Sequence, residues 1–178
     1  MTEERKTNEG TENETKDQFI RRITSGGITE KDIPDSAREN WTRSVLGMTP
    51  FSHSMSIMDG RIHVVFSEPS PEFRNIYRLL SGRIPNDMFM TLTGLSILLY
   101  LREINGEFNL SFEPPRDLLK LAPAMQGTPE AIADMVNFHY SDWCAKIPSA
   151  IARMLPTLWA MYSSMVAWFT ENDMPDSF

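Results

Sequence analysis

From Phe51 to Phe66 the chain alternates apolar and polar positions with period two on either side of an Asp59-Gly60 pair. Phe51, His53, Met55 and Ile57 alternate with Ser52, Ser54 and Ser56, and Ile62, Val64 and Phe66 alternate with Arg61, His63 and Val65. Such alternation predicts two strands, and Asp-Gly between them predicts a type I′ turn in which Ile57 meets Ile62 and Met55 meets Val64. Both apolar faces then coincide on one side of a hairpin. Ser70-Pro71 follows as an N-cap with proline at the first helical position, and Phe73, Ile76, Tyr77 and Leu80 recur at helical spacing.

The pattern elsewhere is mostly helical. Residues 1–17 carry no large apolar side chain after Met1 and read as a disordered polar arm. Short helices occupy 18–47. The first carries Phe19, Ile20 and Ile23 and ends at Gly26-Gly27; the second runs from Pro34 to Leu46, stops at Gly47 and has Trp41, Val45 and Leu46 on its apolar face. In the next unit, 48–113, the hairpin and helix lead into 88–101, fourteen positions without a charge, which predict a helix buried on most sides. Phe108, Leu110 and Phe112 then alternate with Asn109 and Ser111, predicting a third strand over 107–112 beside the hairpin. The alternative pairs 97–104 with 107–112 through Asn105-Gly106 as a second hairpin. A helical body spans 114–170: a short helix at 116–121, a second opened by Thr128-Pro129 and reaching Lys146, and a third from Pro148 to Thr170 with Pro156 inside it. An acidic tail, 171–178, closes the chain.

Length and charge then narrow the classes. At 178 residues one domain with appendages can bury a substantial core. The net charge of −7 and scattered basic residues argue against a nucleic-acid surface. Cys144 is the single cysteine, which excludes an internal disulfide and multi-cysteine metal sites. MTEERKTNEG lacks the apolar core of a secretory signal, so synthesis in the cytoplasm without export is expected. Twelve methionines are compatible with adaptable contact surfaces as well as with a Met-rich core.

Catalytic chemistry finds no foothold. His53 and His63 fall on opposite hairpin faces, and His139 and Cys144 stand roughly 140° apart on one helix, so neither pair can readily share a metal ion. Cys144 has no histidine placed to activate it, and no G-x-S-x-G or phosphate-binding glycine loop occurs. Glu68 with Glu72 and Glu130 with Asp134 read as helix-start charges. The expectation is a non-enzymatic chain without catalytic residues, metal ligands or cofactor. Its sharpest anomaly is the last helix, which has seventeen uncharged residues between Arg153 and Glu171 and a run of aromatics. Trp159, Tyr162, Trp168 and Phe169 are the candidate interface anchors, because such side chains dominate binding energy at protein contacts. A bilayer could also receive this helix, although Pro156, Thr157, Ser163 and Ser164 inside it weigh against that reading.

The order of polar arm, short helices, strand, Asp-Gly turn and a second strand ending Val-Val-Phe-Ser-Glu-Pro-Ser-Pro-Glu-Phe resembles small proteins encoded around the tail and baseplate genes of tailed bacteriophages. The likeness covers Phe51 to Phe73. It implies an α+β chain, mostly helical, with a small antiparallel hairpin or three-stranded sheet and a C-terminal helical body. It implies a virion structural or assembly protein contacting other tail, baseplate or neck proteins in an oligomer or hetero-complex, made in the host cytoplasm and then carried in the virion. Alternatives are a tail assembly chaperone absent from the mature particle, and a membrane-active protein inserting its last helix.

Overall fold

The computed structural model describes residues 15–25, 27–85, 87–124 and 128–172, so most of the arm (1–14), Gly26 and the end of the tail (173–178) lie outside the described residues. The chain is α+β and mostly helical: α1 Lys16–Thr24, a 3₁₀ turn Glu30–Asp32, α2 Asp35–Val45, β1 Ser52–Ile57, β2 Ile62–Ser67, α3 Pro71–Ser81, α4 Phe89–Tyr100, β3 Leu101–Gly106, β4 Leu110–Ser111, α5 Asp117–Ala124, α6 Pro129–Lys146 and α7 Ser149–Asn172. Its sheet is an antiparallel meander in the order β1-β2-β3-β4, one strand more than the sequence reading expected.

The hairpin follows its pattern. Ile57 pairs with Ile62 and Met55 with Val64. The Arg61 N–H donates to the Met58 carbonyl across a turn in which Asp59 and Gly60 both have positive φ, the requirement of type I′. Helix starts also match their signals: Thr128 Oγ1 accepts from the Ala131 N–H at the head of α6, and Pro71 opens α3 behind Ser70. Thr15 and Gln18 form a reciprocal capping box, so α1 already begins at Lys16, inside the stretch assigned to the polar arm. Ile23 of α1 is buried and the Ser164 hydroxyl of α7 donates to its carbonyl, which fastens α1 onto α7.

Two elements depart from expectation. The third strand is Leu101–Gly106, continuing directly from α4; only Leu110–Ser111 of the 107–112 stretch pairs, as the short fourth strand against β3. This resembles the alternative second hairpin with its boundaries moved. β3 escapes a period-two search because it carries a bulge: Val65 pairs with Glu103 but Phe66 with Leu101, which leaves Arg102 as an extra residue. The bulge resets the facing, so Leu101 and Ile104, three apart, are both fully buried. In α2 the buried contact is made by Ala37 together with the half-buried Trp41, whereas Val45 and Leu46, expected on the apolar face, are exposed, Leu46 by 65%. One continuous core joins the inner face of the sheet to α4, which is buried along nearly its whole length, and to α6 and α7.

Candidate protein-docking groove

The four aromatic residues expected to meet a partner lie together on α7, and most of their surface is turned inward. Tyr162 is 1% and Phe169 0% exposed. The Tyr162 hydroxyl is 3.4 Å from the Phe51 carbonyl, to which it donates, and its ring packs on Phe51 and Phe66. Phe169 stacks on Trp41 with ring centres 5.0 Å apart and meets Phe51 edge-on. These two residues are therefore core residues that bind α7 to the hairpin, and they have no surface left for a neighbour. The physical reason is that the period-two face of β1 and β2 needs an apolar cover, and the aromatic stripe of α7 supplies it. Trp159 and Trp168 are only partly buried. Trp159 packs on Tyr100 at 4.8 Å, and the Trp168 ring sits beneath the Arg38 guanidinium at 5.5 Å.

Trp159 also lines a groove of about 640 Å³ between α3, α4 and α7. Tyr77 and Ser81 come from α3, Phe89, Leu92, Thr93 and Ser96 from α4, and Pro156, Thr157, Ala160, Ser163 and Ser164 from α7. On α4 these positions recur at three- and four-residue steps, so they form one helical face. Among the described residues its lining holds no carboxylate, amine, guanidinium or imidazole. Its hydroxyls are largely engaged with the protein: Ser96 Oγ donates to the Leu92 carbonyl at 2.9 Å and Ser163 Oγ to the Ala160 carbonyl at 3.0 Å. At its mouth Phe89 is 68% exposed, with Met90 beside it also exposed.

Burial pushes the Tyr100 phenol, behind Trp159, up to about 12, and Tyr162 rises further for the same reason. Away from the groove, burial raises the Cys144 thiol, which makes it a poor nucleophile, and the nearby Tyr140 hydroxyl is only a hydrogen-bond partner. His53 faces the core while His63 lies on the opposite face with Nδ1 3.0 Å from Ser56 Oγ, as the register requires. Among the described residues no three histidine, cysteine, aspartate or glutamate side chains gather as a metal site, and no helix is long and apolar enough to cross a membrane. What the geometry can do is accept an uncharged, largely apolar surface.

Of the residues expected at an interface, only Trp159 belongs to the groove. Tyr77 was read only as part of the apolar face of α3, and Leu92 and Phe89 were not singled out, because the uncharged run 88–101 has no polar face to show which of its sides a neighbour covers. Comparison of the chain with models of protein families, with curated proteins and with solved structures finds no match.

Proposed function

We propose that this chain works by protein–protein contact, as a non-enzymatic structural or assembly component of a phage tail, baseplate or neck. The observation that supports contact over catalysis is the α3–α4–α7 groove: without a charged group among its described lining residues, with most of its serine hydroxyls bonded within the chain, and edged by an exposed Phe89. A groove between helices with aromatic walls suits an amphipathic helix from a neighbouring subunit, whose apolar residues at three- and four-residue spacing would lie on Tyr77, Leu92 and Trp159. The placement in a phage rests on the likeness of Phe51 to Phe73 to tail-region proteins, and its finer alternative is a chaperone that leaves before the particle matures.

The test is to follow the chain through sedimentation of tail particles and their precursors, in parent form and as Phe89→Glu with Met90→Glu. Both side chains are exposed, so the double variant should keep the parent melting temperature within a few degrees. Recovery of the parent, but not the variant, in particles or precursors is expected. Presence in mature particles marks a resident component, and presence in precursors alone marks the chaperone. A variant that assembles like the parent, or a parent found in neither fraction, overturns the reading.

A further inference from the structure

We infer that the partner helix received by the α3–α4–α7 groove is acidic along its flank, with its carboxylates seated on Arg74 and Arg78 of α3 and Arg153 of α7; this deepens the proposed function and rests on its reading of the groove. On α3 the groove is lined by Tyr77 and Ser81. At about 100° per residue, Arg74 lies about 60° and Arg78 about 100° round the helix from Tyr77, on the same side as Ser81, and the buried Ile76 and Leu80 lie on the opposite side. Core, groove and arginines therefore succeed one another around α3. On α7, Arg153 precedes Pro156 and Thr157 by three and four residues, so it shares the face that lines the groove. All three arginines are exposed.

Their charges are not met within the chain. Among the described residues no salt bridge involves Arg74, Arg78 or Arg153; the Arg153 Nε–H donates to the Ser149 carbonyl at 3.2 Å, one turn back on its own helix, which leaves the charge uncompensated. The acids of these helices stand elsewhere. Glu72 is about 140° round α3 from Tyr77, α4 has none, and Glu171 comes two turns after Ser164 on α7. Asp87 lies two residues before Phe89, at the mouth, so the acidic positions of the partner belong over α3 and the start of α7. In a chain with 24 acidic and 17 basic residues, the rim of an uncharged groove is thus locally positive. Such a rim selects a partner of opposite charge and penalises one of like charge, and a guanidinium fork takes a carboxylate through two hydrogen bonds. The apolar face of the partner lies on Tyr77, Leu92 and Trp159, and glutamate or aspartate follows at three- and four-residue steps beside that face.

The experiment uses the full chain and two fluorescent helical probes of about eighteen residues, read by anisotropy. Both carry the same Leu and Ala face, flanked in one by glutamate and in the other by lysine. The overall charge of −7 favours the lysine probe at long range, so a preference for the glutamate probe reports the local rim. At about 20 mM salt the glutamate probe should bind at least about tenfold tighter than the lysine probe, and the gap should close at about 0.5 M salt, where screening is short-ranged. Arg74→Glu with Arg78→Glu should reverse the order, whereas Arg74→Lys with Arg78→Lys, which keeps the charge, should preserve it within about threefold. Circular dichroism checks the fold of both variants, and the salt series on the parent decides the matter even if they fail it. Phe89→Ser with Met90→Ser, which changes no charge, should weaken both probes alike. Equal binding of the two probes, or a preference for lysine, overturns the acidic partner while the groove reading stands. No binding of either at about 1 mM overturns the groove reading and this inference with it. Binding to phosphatidylserine vesicles that Arg74→Glu with Arg78→Glu abolishes, without probe binding, assigns the rim to a lipid surface and overturns the inference as well.

Discussion

Gly106 shows how a single residue can hold a sheet in register. Its φ is +105°, and a Cβ at this position would lie 2.1 Å from the Arg61 carbonyl oxygen of the neighbouring strand end. Gly106→Ala therefore combines a disfavoured backbone with a clash against main chain, and should lower stability by more than about 2 kcal/mol in urea denaturation. Tyr162 and Phe169 separate packing from hydrogen bonding. Tyr162→Phe keeps the ring and removes a long, 3.4 Å bond to the Phe51 carbonyl, so a loss of about 0.5–1.5 kcal/mol is expected. Phe169→Ala should cost about 3–5 kcal/mol, because it empties a fully buried site between Trp41 and Phe51. Equal losses for the two would mean that the aromatic cluster is not the cover of the sheet. Both residues were visible in the sequence as aromatic positions of a helix. Their inward direction was not, since it depends on what the hairpin presents to them.

At the scale of elements, β3 holds the clearest lesson. Helix α4 passes into this strand without a loop, and the bulge at Arg102 brings Leu101 and Ile104 onto one face. Deleting Arg102 restores strict alternation with Leu101 and Ile104 two apart, so both still face the core and only the unpaired residue is lost. That deletion should keep a cooperative transition, as should Arg102→Ala, which keeps the residue count and should cost less than about 1.5 kcal/mol. Thermal scans followed by circular dichroism check this; loss of the transition in the deletion variant alone would show that the strand needs the bulge itself. The hairpin, the proline-capped starts of α3 and α6 and the buried α4 were legible because each depends on neighbours in sequence. β3 was not, because its irregular facing exists only against β2.

Across the whole molecule, acid stability should be governed by the corner where α1, the 3₁₀ turn and β1 meet. Two hydrogen bonds from the Arg22 guanidinium, at 2.8 and 3.0 Å, hold the Asp32 carboxyl down to about 2, with further bonds from Thr29. Its contribution is complete above its ordinary pKa of 3.8 and is lost as pH falls from there toward 2. His53 is shifted the same way by burial: the unfolded chain takes up a proton near 6.5 and the folded one only at lower pH, so stability declines as pH falls below 6.5. Urea midpoints measured against pH should thus show two descending limbs. His53→Leu should remove the upper limb. Asp32→Asn should remove the lower one and cost about 1 kcal/mol at neutral pH, allowing for water beside Arg22. A single limb unaffected by either change would contradict this picture. Alternation, turn chemistry, capping residues and the length of uncharged runs, all short-range properties, were enough to determine the hairpin, most helices and the α+β class from the sequence alone. Tertiary structure alone decided which uncharged faces are covered. It turned Tyr162 and Phe169 into core, left Phe89 and Leu46 in solvent, and opened a groove between α3, α4 and α7, because burial depends on the opposing surface and no residue carries that information by itself.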